Sequence, residues 1–438
     1  MSTVTTQPAG RPAGQPAVAG VGPAPGSRRT PIVLAVLAAV AIVVFAVLGP
    51  GGQATFRISQ DNDAWQVPNL VLPAKAFGVA IAVVCTALAV LAYRQMRANG
   101  RIAKWVTLTY APVFVVGLLV WIVGGTTTQN ITLVGLFTGA MLITTPLVFG
   151  SLSGVLCERS GVVNIAIEGQ LLAGAFTAAL VASITHNAFA GLFAAAAAGV
   201  AVSALLAVFS IKYVVNQIIV GVVLNVLVSG LTGFLFEKIM KTSVNGATIY
   251  NQPAQLPALP IPLLSEIPVI GPMLFRQSII GYLMLVLVAA IWFGLFRTRW
   301  GLRIRAVGEH PKAADTVGIN VNRTRVRNVL AGGAVAGIGG AYFTLVAVSS
   351  FSKDMTGGLG FIALAALIFG RWNPIGAALA ALLFGVAGNL QSILSLAGTP
   401  IDGQFLAMLP YALTILAVSG FVGRSRAPAA DGQPYVKG

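Results

Sequence analysis

The chain has 438 residues, of which 57% are hydrophobic and 9% charged, and its formal net charge at pH 7 is +16. A soluble domain is about a quarter charged, so this composition excludes an ordinary soluble protein. Apolar runs of about 18 residues or more recur along the chain, as in membrane-spanning segments. The runs lack the apolar–polar alternation of barrel strands, so they predict an all-α, polytopic membrane protein.

The excess of positive charge has two interpretations, a nucleic-acid surface or Lys and Arg in the cytoplasmic loops of a membrane protein. The second fits the apolar runs, so no nucleic-acid partner is expected. Cys85 and Cys157 lie in or at the end of such runs, and His186 and His310 lack a partner at metal-ligand spacing. These positions predict neither a disulfide nor a metal site. No GxxxxGK[ST] phosphate loop occurs, so the chain is expected to have no catalytic residues and no cofactor of its own.

The chain begins with residues 1–30, which are rich in Pro, Ala and Gly and lack an apolar period. Such a stretch predicts a disordered tail. About twelve membrane-spanning helices are predicted after it. They lie at 31–49, 70–93, 105–123, 131–150, 162–185, 188–210, 214–236, 278–296, 328–350, 357–370, 373–395 and 404–421.

The distribution of Lys and Arg supports this number of spans. With the N-terminus inside and strict alternation of the loops, 21 of these residues fall inside and 6 outside. One miscounted span would reverse the asymmetry beyond the error, because cytoplasmic loops carry the positive excess. We therefore expect both termini, including a tail at 422–438, on the cytoplasmic side.

The longest predicted external segment, residues 237–277, contains six prolines. Prolines at this density argue against a long helix. The segment is either a spacer or lid, or a surface that receives an external partner, and the sequence leaves both open.

The fifth predicted span is broken near 161–170. Its clean apolar run, 170–185, has sixteen residues, which reach about 24 Å as a helix. The hydrocarbon core is about 30 Å thick, so part of the irregular stretch before this run lies at membrane depth. That stretch contains Asn164 and Glu168, and Glu168 is the one acid expected inside a span. Glu168 either caps the helix that begins near Gly169 or contacts substrate.

A second irregular stretch, residues 352–360, precedes the short span that ends at Gly370. The two stretches enter from opposite sides, and inverted, interrupted pairs often frame the substrate site of a transporter. Polar residues in other spans either line this pathway or join helices by hydrogen bonds, and the glycines at 332–340 are expected to serve helix packing. The candidate pathway residues are Asn164, Glu168, Asn216, Asn225, Gly358, Phe361 and Asn389.

Residues 297–327 form a basic loop with eight Lys or Arg and two acids. Pro311 suits the first position of a helix, and Gly318 suits the residue that ends one, so a short helix is predicted between them. Its small apolar face consists of Ala313, Ala314 and Val317. This face either docks a soluble partner or rests on the lipid headgroups.

Three motifs give the chain a family resemblance. Residues 159–169, RSGVVNIAIEG, resemble the signature of permease subunits of bacterial ABC importers, in the branch for branched-chain amino acids, simple sugars and nucleosides. Residues 301–319 resemble the coupling loop of that family, and 358–376 its late Gly-rich segment. The resemblance covers the permease domain at 131–421 and is strongest to nucleoside and simple-sugar permeases. The helices at 31–123 are more than a minimal member needs.

The resemblance implies a multi-pass protein of the bacterial plasma membrane with three partners: a second permease, often a different chain, a cytoplasmic ABC ATPase that binds ATP and Mg, and an external solute-binding protein. The element expected to touch the ATPase consists of Arg303, Glu309, Lys312, Ala313, Ala314, Asp315, Val317 and Gly318. The expected function is the translocation path of an importer for nucleosides or nucleobases, with simple sugars next.

Two other functional classes are alternatives to an ABC importer. An ion-coupled secondary transporter would use Glu168 as its ion site. A non-transporting scaffold is disfavoured, because a passive anchor has no use for polar backbone at membrane depth.

Overall fold

The computed structural model describes residues 29–58, 66–100, 102–125, 131–244, 247–396, 408 and 426–437. Within this part of the chain, ten helices are long and apolar enough to cross a membrane, and Leu359–Phe369 is a shorter apolar helix. They correspond to eleven of the predicted spans, and the predicted all-α, polytopic fold class is confirmed. The twelfth span, 404–421, lies outside the described residues apart from Met408, and the predicted N-terminal tail lies outside them up to residue 28.

The α-helices are named in chain order. They are α1 (Arg29–Ala41), α2 (Ala74–Asn99), α3 (Lys104–Gly125), α4 (Leu133–Glu158), α5 (Ile167–Thr185), α6 (Ala188–Ala207), α7 (Gln217–Leu235), α8 (Ile279–Arg297), α9 (Arg299–Glu309), α10 (Pro311–Thr316), α11 (Val321–Tyr342), α12 (Leu359–Phe369) and α13 (Pro374–Leu396). Four of them continue as π-helical turns, α1 over Ile42–Val47, α6 over Val208–Lys212, α7 over Phe236–Met240 and α11 over Phe343–Ala347.

Short strands, which the sequence did not predict, join the helices. They are β1 (Gln53–Arg57), β2 (Leu70–Pro73), β3 (Ile131–Thr132), β4 (Ser243–Val244), β5 (Ala247–Thr248), β6 (Ala258–Pro260) and β7 (Arg276–Ser278). Strand β1 lies between β2, to which it is antiparallel, and β3, to which it is parallel. Antiparallel pairing of β6 with β7 closes much of the proline-rich segment into a loop.

Polar residues fix where several helices begin, because their side-chain oxygens accept hydrogen bonds from the free N–H groups of the first turn. These N-cap residues are Asn187, Asn216, Ser278, Thr298 and Asn320. The cap at Asn320 corrects one predicted boundary. Helix α11 begins seven residues before the predicted position 328, and three arginines assigned to the basic loop lie in its first turns.

Helix α11 is the centre of the larger helical core and packs against α4, α5 and α6. Small residues permit this approach. A Cβ atom at Gly337 would lie 2.1 Å from the carbonyl oxygen of Ala195, and one at Gly333 would lie 2.0 Å from the Ser203 hydroxyl. The prediction that these glycines serve helix packing is therefore confirmed.

Helices α1, α2 and α3 bury a core of their own around Phe45, Cys85 and Tyr110. Within the described residues, their contacts with the rest of the chain include the pairing of β1 with β3 and the packing of Leu133 against the cluster around Phe56. Ile122 also packs beside Leu136 and Leu390. The N-terminal helices thus form a compact unit attached along one side of α4 and α13.

Candidate functional site

The predicted break in the fifth span is present. Helix α4 ends at Glu158 and α5 begins at Ile167, and residues 159–166 between them (the broken segment) form turns. Gly161 has φ of +86°, a conformation that glycine adopts at little cost. The break places Glu168 in the first turn of α5.

The Glu168 carboxylate joins the two irregular stretches of the sequence. One oxygen accepts hydrogen bonds from the Thr356 hydroxyl at 2.6 Å and the Gly358 N–H at 2.8 Å, and the other accepts from the Gly360 N–H at 2.6 Å. Gly358 is the N-cap residue of α12, immediately before its first residue. The sequence left open whether Glu168 caps the helix that begins near Gly169 or contacts substrate. The carboxylate caps α12 instead of α5, at a helix start where the free N–H groups favour negative charge.

Helix α7 holds the broken segment from the other side. The amide of Asn225 accepts from the Gly169 N–H at 2.8 Å and donates to the Ile165 carbonyl at 2.8 Å. The Gln217 side chain accepts from the Val163 N–H at 2.7 Å. Backbone groups that leave the helical pattern at membrane depth are thereby satisfied by side chains, as a low-dielectric surrounding requires.

Asn164, one of the predicted pathway residues, is fully buried and lies in a polar network within the chain. Its amide donates to the Ser153 hydroxyl and to the Gln170 side chain, both at 3.1 Å. Gln170 donates in turn to the Ser203 hydroxyl at 2.8 Å. The network locks the broken segment to α4, α5 and α6, because a buried amide left unpaired is costly.

The remaining pathway candidates divide by position. Phe361, in the first turn of α12 beside the Glu168 site, is 50% exposed. Asn216 caps α7, and Asn389 donates to the Leu136 carbonyl at 2.7 Å, joining α13 to α4. The last two therefore join or cap helices away from the Glu168 site.

A cavity of about 280 Å³ lies between α4, α11 and the β6–β7 loop, lined in part by Thr138, Arg276 and Tyr342. None of the predicted pathway residues lines it. Across the described residues, no group of three or more His, Cys, Asp or Glu side chains is placed to hold a metal ion.

The basic loop contains two helices where the sequence predicted one. Helix α9 begins at the Thr298 cap, and α10 begins at Pro311 and is followed by Gly318 with φ of +85°. Of the predicted apolar face, Val317 is 76% exposed and Ala313 is exposed, but Ala314 is only 3% exposed. Ala314 packs inward beside Val307. The exposed face therefore consists of Ala313 and Val317.

The other predicted coupling residues lie around this face. Arg303, Glu309, Lys312 and Gly318 are exposed, and Asp315 is half-buried. The sequence missed the residues that support the face from behind, which include Arg325 in α11 and Glu158 at the end of α4. Their contacts join positions more than a hundred residues apart, as when Arg325 donates to the Ser160 carbonyl.

The chain is similar to a known protein family and to individual transport proteins. Residues 136–418 match the family described as branched-chain amino acid transport system, permease component. The chain is 43% identical to the guanosine ABC transporter permease protein NupQ of Bacillus subtilis over 307 residues, which cover 67% of this chain and 93% of that protein. It is 40% identical to the nucleoside ABC transporter permease protein NupC of Lactococcus lactis over 310 residues, 68% of this chain and 95% of that protein.

A sugar permease is also similar. The putative glucose ABC transporter permease protein TsgC13 of Haloferax volcanii is 34% identical over 313 residues, 66% of this chain and 92% of that protein. No solved structure matches the chain significantly.

Proposed function

The chain belongs to the branched-chain amino acid transport system permease family, and from this premise we propose that it is the membrane-spanning permease subunit of an ATP-driven importer for nucleosides. The observation that carries the substrate class is the 43% identity to a guanosine permease across 93% of that protein. Simple sugars are the second candidate, because the similar glucose permease is 34% identical over nearly all of its length.

The proposed complex contains a second permease of different sequence, an ABC ATPase and an external solute-binding protein. Two permeases named for guanosine transport in Bacillus subtilis resemble this chain, NupQ at 43% and NupP at 27% identity. This pairing supports a heteromeric partner. ATP and Mg bind to the ATPase, and the permease supplies no cofactor site.

In the proposed cycle, the ATPase docks on the exposed face of α10 formed by Ala313 and Val317, on the cytoplasmic side of a bacterial plasma membrane with both termini inside. Closure of the ATPase on ATP moves α10, and the cavity between the two permeases opens to the other side. Glu168 joins α5 to α12 within this chain. Its carboxylate already accepts three hydrogen bonds, which supports a structural role and weighs against the ion-coupled alternative.

Uptake by cells of the source organism tests the proposal. Deletion of the gene is expected to abolish uptake of radiolabelled guanosine and to leave uptake of glucose and ribose unchanged, with recovery when the gene is restored. Loss of sugar uptake with unchanged guanosine uptake would assign simple sugars as the substrate instead.

The energy source is tested separately. Depletion of ATP is expected to stop the uptake, whereas a protonophore that leaves ATP intact is not expected to stop it. The reverse result would assign an ion-coupled transporter.

A further inference from the structure

The segment after the last described helix returns to the coupling region. Residues 426–437 (the C-terminal strap) lie on α9 and α11. The Ala430 N–H donates to the Gly308 carbonyl at 2.9 Å, and the Ala429 N–H donates to the Glu309 carboxylate at 3.2 Å. The Gln433 carbonyl accepts from the Arg325 guanidinium at 2.9 Å. The strap is therefore fixed to both helices that flank α10.

Tyr435 of the strap closes the buried side of α10. It is 9% exposed and packs with Val307, Ala314 and Val321 in one small apolar cluster. These four residues come from the strap and from α9, α10 and α11. Since α10 is less than two turns long, it has little stability of its own, and this cluster is what holds it in place. A displacement of α10 is thus transmitted to the strap through Tyr435.

Arg325 joins the strap to the broken segment. Its side chain is 2% exposed, and besides the strap contact it donates to the Ser160 carbonyl at 3.2 Å. A Cβ atom at Gly161 would lie 2.8 Å from the Arg325 guanidinium and 3.1 Å from the Ala430 carbonyl. The guanidinium, the strap and the broken segment are therefore in direct contact, and glycine at 161 is what lets them meet.

The charges around Arg325 complete the connection. Asp431 of the strap lies beside Arg325 and adjoins the carboxyl of Glu158, at the end of α4. Burial raises the pKa of Asp431 to about 7, against the opposing effect of the Gly432 N–H and the Arg325 guanidinium. Glu158 also accepts from the Trp372 indole N–H. A buried guanidinium is unfavourable once its partner is removed, so the strap and Arg325 are expected to move together.

We propose that the C-terminal strap is a mechanical link of the importer, in which Tyr435, Asp431 and Arg325 are positioning residues that carry the movement of α10 to the broken segment beside the Glu168 site. The proposal rests on the proposed function, because it supposes that an ATPase moves α10. Its contact path is continuous: α10 touches Tyr435, the strap touches Arg325, and Arg325 touches Ser160 and Gly161.

The test uses the complete complex, copurified with the tagged chain from its source cells and reconstituted in lipid vesicles. In Tyr435→Ala, we expect assembly and ATP hydrolysis to persist while guanosine uptake per ATP falls by roughly three- to thirtyfold, the range produced by mutations along a coupling path. Tyr435→Phe keeps the packed ring but loses the hydrogen bond to Asp315 of α10, and it is expected to retain more of the uptake than Tyr435→Ala. Val436→Ala, at an exposed neighbouring position, is the matched control.

A second measurement does not depend on the substrate. Hydrogen exchange at residues 159–166 of the assembled complex is compared with and without ATP. The proposal requires an ATP-dependent change in the wild type that is lost in Tyr435→Ala and in a chain that ends at residue 425. An unchanged response in Tyr435→Ala, or no response in the wild type, overturns the link. Absence of guanosine uptake in the wild type with a normal exchange response would refute the substrate class alone.

Discussion

At the scale of single residues, the importance of Glu168 is its position between two interruptions of the membrane helices. A carboxylate at membrane depth is costly unless it is fully hydrogen-bonded. Glu168 meets this condition with one hydroxyl and two backbone N–H donors at the start of α12. The residue therefore fixes α5 and α12 against each other.

Replacing Glu168 by Gln is expected to lower the free energy of unfolding by about 1.5–3 kcal/mol, because one charge-assisted acceptor is replaced by an NH₂ donor that faces N–H groups. Unfolding by denaturant in detergent measures the change. The control is Glu237→Gln, whose partners Lys241 and Lys353 form exposed ion pairs, for which a much smaller loss is expected. Equal losses in the two variants would contradict a capping role for Glu168.

At the scale of elements, the short helix α10 packs one side against α9, α11 and the strap and exposes the other side to solvent. Val317→Glu is expected to leave stability nearly unchanged, since exposed substitutions usually stay within about 0.5 kcal/mol. It is expected to reduce the amount of ATPase that copurifies with the chain. Ala314→Glu buries a carboxylate without a partner and is expected to destabilise the chain itself. Quantitative copurification and thermal unfolding separate the two effects. An undiminished amount of ATPase with Val317→Glu would show that docking occurs elsewhere.

The packing of α11 against α6 allows a second comparison between elements. Gly337→Ala places a methyl group 2.1 Å from the Ala195 carbonyl, so the helices must separate, and we expect a loss of about 1–3 kcal/mol. Gly230→Ala in α7 meets no atom within 4 Å and is expected to gain up to about 1 kcal/mol of helix propensity. Thermal unfolding in the same detergent measures both. A neutral Gly337→Ala would mean that the close approach is not required.

These elements also show how far sequence reasoning reaches. Three features could be predicted from local signals. Glycines indicated the break before α5, an isolated acid in an apolar span indicated Glu168, and Pro311 indicated the start of α10. Local signals could not show that Glu168 caps α12, because Gly358 is 190 residues away along the chain and only the fold brings the two together. The inward turn of Ala314 was missed for the same reason. It depends on Tyr435, whose side chain reaches α10 only after the strap has folded back.

At the scale of the whole molecule, the chain consists of a family permease and an additional N-terminal unit. The family match begins at residue 136, after α1, α2 and α3. These helices have their own buried core and meet the permease through a strand pairing and apolar contacts at Leu133 and Ile122. The N-terminal unit therefore lies outside the residues that match the family, and relatives matched over more than nine-tenths of their length cover about two thirds of this chain.

Removal of residues 1–129 is therefore expected to leave a chain that still assembles with its partners and transports. The strand pairing and the apolar contacts at Leu133 and Ile122 are lost. Exposing this apolar surface to lipid rather than water costs little, because association of helices in a bilayer gains little from the hydrophobic effect. Uptake of guanosine per assembled complex, compared with the full-length chain carrying the same tag, measures the outcome. Normal assembly with abolished uptake would instead place α1–α3 within the translocation mechanism, and failure to assemble would make them part of the partner interface.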